Sequence, residues 1–317
     1  MQSSAINADI DCIMTNTLIS IVGPTAIGKT NLSIKLAKHF NTEIISADSR
    51  QFYKEMKIGT AVPSKEELNV AKHHFIQHKS IKENYNVGDF ERESILKLEE
   101  LFTQHSNVIM VGGSGLYVKA VTEGLDYFPA IDSKVRTELN KRLKTEGLKT
   151  LQEQLKNLDE ITYNSIALDN PQRVIRALEV CIGSEQPYSS FLTNPKKERN
   201  FQTITIGLEA DRSVIYDRIN QRVDIMIENG LIEEAKQLFK HKSLNALNTV
   251  GYKELFDYFE GNITLEFAIS EIKKNTRRFA KRQLTWFRKN SDITWFNYEV
   301  NVENILQHIE NIRSLKS

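Results

Sequence analysis

"LISIVGPTAIGKT", residues 18–30, is the stretch on which the fold turns. Leu18–Val22 is an apolar run of strand length, broken only by Ser20 and ended by Gly23. Beyond Thr30, within the amphipathic stretch Asn31–Phe40, Leu32, Leu36 and Phe40 recur every four residues, as on a helix face packed against a sheet. Between these two elements, glycine, four residues, glycine, lysine and threonine have the spacing of a phosphate-cradling loop. Gly23 and Gly28 permit positive φ and close approach of backbone to ligand, and the intervening amides can point at phosphate oxygens. The following helix adds its N-terminal partial charge. Lys29 can neutralise a terminal phosphate, and the Thr30 hydroxyl can ligate Mg²⁺. A glycine-rich surface turn would leave the Lys29–Thr30 pair and both flanking elements unexplained.

Outward from the loop, a second short strand is expected at Glu43–Ala47, ending at Asp48. A third, Val108–Val111, ends at Gly112–Gly113. Strand–helix alternation of this kind predicts a parallel sheet with helices on both faces. Ligands bind such sheets at the carboxyl ends of the strands, where Gly23, Asp48 and Gly112 all fall. Asp48 suits a metal-organising acid or a general base beside the phosphates; the alternative is a turn cap within Asp48–Arg50. From about Asp132 to Glu198 the pattern becomes helical. Asp132 can cap a helix bearing Val135, Leu139 and Leu143 that Gly147 would end. Leu148, Leu151, Leu155 and Leu158 mark another. "DNPQR" sets Asn170 as cap and Pro171 as first helical residue, with Val174 and Leu178 on one face. Thr203–Leu208 alternates like a return to the sheet, and helices follow from Arg212. The expected fold is therefore α/β: a P-loop NTPase-like parallel sheet flanked by helices, with a mainly helical insertion. Its expected division is a flexible extension at 1–17, a core at 18–125 and 200–317, and the insertion at 126–199.

Composition narrows the partners. The 317 residues are 40% hydrophobic and 26% charged with net charge +1, so a polyanion must be held by a local basic patch. Lys273–Lys289 supplies one, with eight lysines and arginines, no acid, and Phe279, Trp286 and Phe287 interleaved. The bland reading is a solvated helix face, with the aromatics buried in the core. Cys12 and Cys181 alone make neither a zinc site nor a disulfide framework. The first seventeen residues, which contain Asp9 and Asp11, do not read as a signal peptide, and no apolar run approaches the roughly 20 residues of a membrane span. A cytoplasmic monomer, without a membrane partner, is expected. His73, His74 and His78 have no carboxylate at ligand spacing and read as packing or surface residues.

Six segments then occur in order: "GPTAIGKT", "IISADSRQFYKEMKIGTAVP", "VGGSGLY", "DNPQRVIRALEV", "VGYKEL" and "AKRQLTWFR". Together, from about Leu18 to Phe296, they resemble the tRNA dimethylallyltransferase family. Two positions depart from its common pattern, Ile27 for serine and Ser114 for threonine; neither removes a glycine, Lys29 or Thr30. The resemblance implies transfer of a dimethylallyl group from dimethylallyl diphosphate to N6 of the adenosine immediately 3′ of the anticodon, in tRNAs reading codons that start with U. Diphosphate leaves, so the bond broken is carbon–oxygen. By the same resemblance, Gly23, Pro24, Thr25, Ala26, Ile27, Gly28, Lys29, Thr30 and Arg222 hold the diphosphate, and Mg²⁺ bridges it to Thr30. Asp48 is the general base, and Thr25 helps to position the reacting groups. Asp48, Ser49, Arg50, Gln51 and Ser114 contact the flipped adenosine and its neighbours in the anticodon stem-loop. Further RNA contacts fall at Gln172, Arg173, Val174, Ile175 and Arg176, and at Thr249, Val250, Gly251, Tyr252, Lys253 and Glu254.

Two other classes share the loop. A small-molecule P-loop kinase would release ADP from ATP with no RNA present, Asp48 deprotonating a hydroxyl. A nucleotide-switched RNA-binding protein would still function after Asp48→Asn.

Overall fold

The computed structural model describes residues 16–193 and 197–314. Most of the expected N-terminal extension, residues 1–15 with Cys12, lies outside the described residues. The chain forms two compact units, one from the segments ending at Thr122 and beginning at Arg199, the other Glu123–Glu198.

The first unit is built on a six-stranded sheet. Its strands are β1 (Thr17–Val22), β2 (Ile44–Ser46), β3 (His73–His74), β4 (Asn107–Val111), β5 (Gln202–Glu209) and β6 (Ile293–Asn297). The order is β3-β2-β4-β1-β5-β6, and every pairing is parallel. The register matches Ile21 with Val111 and Val22 with Gly207, so the loops after β1, β2 and β4 leave from one edge. The strands at Glu43–Ala47 and Val108–Val111 are found within a residue of expectation. β3 and β6 were not anticipated: two histidines carry no period, and "ITWFN" is short and half-exposed.

Alternation along β1 assigns its two faces. Ile19 and Ile21 join a core with Leu32 and Leu36 of α1 (Lys29–His39). Leu18 and Val22 face the opposite core, with Phe90 and Leu98 of α3 (Val87–Phe102) and Val118 and Val121 of α4 (Gly115–Thr122), whereas the short α2 (Lys65–Val70) buries none of its residues. Two capping boxes, Ser64 with Glu67 and Asn86 with Asp89, start α2 and α3.

Every regular element among the described residues of the second unit is helical: α5 (Ser133–Glu146), α6 (Leu148–Leu158), α7 (Glu160–Ser165), α8 (Pro171–Ser184) and a 3₁₀ turn at Tyr188–Phe191. Asp132 caps α5, Gly147 ends it, and Asn170 accepts from the Gln172 and Arg173 amides ahead of α8. Leu139, Leu151, Leu155, Val174 and Leu178 form its core.

The chain returns to the first unit with α9 (Arg212–Glu228), α10 (Leu231–Leu238), α11 (Tyr252–Phe259), α12 (Leu265–Phe287) and α13 (Val302–Ser314). Ile215 and Ile219 of α9, Ala280 of α12 and Ile305 and Ile309 of α13 complete the core containing Ile19. Among the described residues no helix is long and apolar enough to cross a membrane.

Candidate functional site

The loop from Gly23 to Gly28 forms an anion cradle. Gly23 sits at φ 139°, and a Cβ there would lie 2.6 Å from the Leu208 carbonyl of β5, so only glycine fits. Gly28, at φ 105°, caps α1 with no side-chain hydrogen bond, leaving the first-turn amides to a ligand. Between them Ala26 is also left-handed, at φ 64°, and the Arg218 Nε donates to its carbonyl at 2.7 Å. Lys29 folds over the loop, its Nζ donating to the carbonyls of Gly23 at 3.0 Å and Pro24 at 2.7 Å. Burial pulls the Lys29 ammonium down to about 7; Asp48 opposes the shift and Arg222 adds to it. Burial also lowers Arg222, again against Asp48. The cradle opens into a cavity of about 580 Å³ that also takes in Thr30, Asp48, Gln51, His73 and Arg222.

A second hollow, of about 600 Å³, adjoins it. Its walls are largely apolar, with Tyr117, Ile219, Met226, Phe279 and Trp286 facing Asp48, Ser49 and Arg282. Thr25, Asp48, Gly113 and Arg222 line both spaces. The acid thus stands in the wall between a phosphate-sized cradle and a room wide enough for a flat heterocycle.

The loop after β2 is braced from several sides. The Asp48 Oδ1 accepts the Arg50 amide at 3.0 Å, and the Ser49 amide donates to Ser114 Oγ at 3.1 Å. The Arg50 guanidinium donates to the carbonyls of Asn245 and Ala246, at 3.1 and 2.8 Å. The Gln51 Nε2 donates to the Thr60 and Ala61 carbonyls. Both of these side chains hold neighbouring backbone in place.

A sequence profile of the IPP transferase family matches residues 51–290. The chain belongs to that family. It is 64% identical over 297 residues to a tRNA dimethylallyltransferase of Christiangramia forsetii, covering 94% of this chain and 98% of the relative. It is 61% identical over 304 residues to that of Flavobacterium johnsoniae, with 94% and 98% covered. Among solved structures it resembles the full-length tRNA isopentenylpyrophosphate transferase of Bacillus halodurans, with a TM-score of 0.69, 40% identity, and 95% and 96% of the two chains covered. The kinase reading finds no favour among these relatives.

The remaining sequence-derived positions of this IPP transferase family member divide sharply. Thr249, Val250, Gly251 and Lys253 line the hollow, whereas Tyr252 and Glu254 are buried braces. The Tyr252 hydroxyl donates to Glu234 Oε1 at 2.6 Å, and burial raises its pKa far above that of free tyrosine. The same Glu234 carboxylate accepts the amides of Lys57, Ile58 and Gly59. A Cβ on Gly59 would lie 2.6 Å from the Tyr252 ring. Glu254 accepts the Gly251 amide and Asn275 Nδ2, each at 2.8 Å.

In the helical unit, Gln172 and Arg173 are exposed, and Arg176 pairs with Glu179 at 3.0 Å beneath the Phe128 ring. Val174 and Ile175, grouped with them on sequence, are corrected here: both have 0% exposure, and their side chains present nothing to a polynucleotide. They follow "DNPQR" on the apolar face of α8, so helix phase decides the matter.

The basic run lies on α12 and just beyond it. Lys273 pairs with Asp224, Lys274 with Glu271 and Arg288 with Glu209, while Arg277 donates to Asn220. Much of the run's charge is therefore engaged within the protein. The expectation that its aromatics are core holds for Phe287 alone; Phe279 and Trp286 are 39% and 42% exposed and face the hollow. Sequence reading missed their role, and that of Gln283 and Arg218. Drawing Ile272, Thr276, Phe279, Gln283 and Trp286 on one helical face would have found the first three of these.

Among the described residues no group of three or more His, Cys, Asp or Glu could hold a metal. His74 Nε2 meets Glu43 Oε2, just ahead of β2, at 2.5 Å, a carboxylate partner that sequence spacing did not reveal. His78 packs among Phe52, Phe75 and Tyr85, and desolvation lowers its pKa to about 4.

Proposed function

We propose that this protein transfers a dimethylallyl group from dimethylallyl diphosphate to N6 of the adenosine beside the anticodon of tRNA, releasing diphosphate. The observation that carries the reading is the shared wall: Asp48, Thr25 and Arg222 border both the anion cradle and the apolar hollow. The diphosphate lies in the cradle, against the first-turn amides of α1, Lys29 and Arg222. Thr30, which lines the cradle, would hold Mg²⁺, and the cation would supply positive charge to the leaving group. The target adenosine leaves its stack, at a cost of a few kcal/mol, and enters the hollow. Aromatic walls such as Tyr117 and Trp286 offset part of that cost by stacking.

Adenine N6 is a poor nucleophile because its lone pair is delocalised into the ring. Asp48 accepts the N6 proton as the carbon–nitrogen bond forms and the carbon–oxygen bond to diphosphate breaks, a role worth about 10²–10⁴-fold. The charge that develops on the departing diphosphate meets donors already in place. Exposed Gln172 and Arg173 of the helical unit suit the phosphates of the stem-loop, and so, in the sheet unit, does exposed Lys281 of α12. The protein acts as a monomer in the cytoplasm.

The test is to incubate the protein with dimethylallyl diphosphate, Mg²⁺ and unmodified tRNA, then digest the RNA. Mass spectrometry should find one adenosine heavier by a five-carbon unit, only when all three components are present. Release of ADP from ATP with a small acceptor would refute the reading.

A further inference from the structure

Ile272, Thr276, Phe279, Gln283 and Trp286 follow one another along a single face of α12, three or four residues apart, and all border the hollow. Gln283 differs from the rest. It is 7% exposed, and both ends of its amide are bound to backbone far away in sequence. Its Oε1 accepts the Thr25 amide at 2.9 Å, and its Nε2 donates to the Gly113 carbonyl at 2.9 Å. One side chain thus ties the cradle loop after β1 to the glycine loop after β4. Gly113 has no Cβ where one would run into Nε2. The connection continues: Ser114, next in the chain, accepts the Ser49 amide, and Ser49 follows Asp48.

We propose that Gln283 is a positioning residue that locks the cradle loop and the Asp48 loop to α12, so that RNA docking and diphosphate binding reinforce each other. The proposal rests on the functional reading above. RNA seated in the hollow bears on Phe279, Arg282 and Trp286, and a helix responds to such contacts as a rigid body. Through Gln283 it orders Thr25 and Gly113 before the anion arrives, so the anion loses less freedom on binding. Thermodynamic linkage requires the reverse effect, of diphosphate on RNA, to be equal. The amide is needed for this: glutamate lacks the Nε2 donor, and methionine lacks both strong partners.

Calorimetry on the full chain tests it, with inorganic pyrophosphate and Mg²⁺ titrated with and without saturating unmodified anticodon stem-loop RNA. RNA should tighten pyrophosphate binding by about fivefold or more in the unaltered protein, the lower end of ordinary coupling. In Gln283→Met the ratio should fall to near unity, whatever change the variant makes to RNA affinity measured without pyrophosphate. Gly113→Ala, which keeps the glutamine but displaces its amide, should show the same loss and serves if Gln283→Met does not fold. A parent ratio of one, or an unchanged ratio in the variants, overturns the proposal. A parent protein that binds neither RNA nor pyrophosphate overturns the functional reading instead.

Discussion

Lys29 gives the most quantitative prediction. Its ammonium is held at about 7, chiefly by burial, against a reference of 10.5. An anion set against the ammonium restores the charged form, so binding takes up a proton wherever the free lysine is neutral. The sign follows directly. The lysine contribution is fully present below pH 7 and is lost as pH rises from 7 toward the higher pKa of the complex. In that window the apparent affinity for pyrophosphate should fall about tenfold per pH unit, or about 1.4 kcal/mol each. Pyrophosphate itself also titrates, so the comparison is with Lys29→Arg, whose guanidinium stays charged throughout. Calorimetry of both proteins from pH 6 to 9 supplies the ratio of affinities. The parent should lose about 50-fold against the arginine variant between pH 7, where the free lysine is half protonated, and pH 9, where about 1% is. Parallel slopes for the two proteins would refute the assignment of a neutral-poised lysine to the cradle.

Four further outcomes follow from the geometry. Asp48→Asn should lower turnover by about 10²–10⁴-fold in the prenyl-transfer assay while leaving tRNA affinity within a few-fold, because the amide accepts no proton. His78 is neutral when folded and titrates near 6.5 when unfolded, so stability should fall as pH drops from about 6.5 to about 4, by up to about 3 kcal/mol; denaturant midpoints of His78→Leu should show a shallower pH dependence. Asp159 accepts the amides and hydroxyls of both Thr162 and Ser189, at 2.6–2.9 Å, so Asp159→Ala should destabilise the helical unit by about 1–3 kcal/mol in thermal melts. Gly112→Ala should lower the melting temperature of the sheet unit, because its Cβ would collide with the backbone of Ala47, and should cost about 1–3 kcal/mol.

Local chemistry was legible in the sequence. The cradle, the Asp48 strand end, and the Asp132, Gly147 and Asn170 helix boundaries each depend on neighbours a few residues apart, and all are found where spacing places them. What depends on distant partners was not. The two-residue β3 exists because Ile44 and Ile45 offer it a pairing edge, not because its own residues favour a strand. Arg50 and Gln51 carry groups suited to RNA, yet their fold neighbours, Ala246 and Thr60, engage them. Gln283 sits in a run of cations and reads as one more polar surface residue, although Thr25 is 258 positions away. For Val174 and Ile175, motif membership suggested contact while their place in the helical period put them inside.

Gly59, Tyr252 and Glu234 form a three-part joint: the ring fills the space a glycine leaves, and the carboxylate reads both the phenol and the three adjoining amides. No member of this set can be exchanged alone. A chimaera that grafts the segment around Gly59 from a distant homologue must therefore transplant the other two with it, or rebuild the seat from scratch.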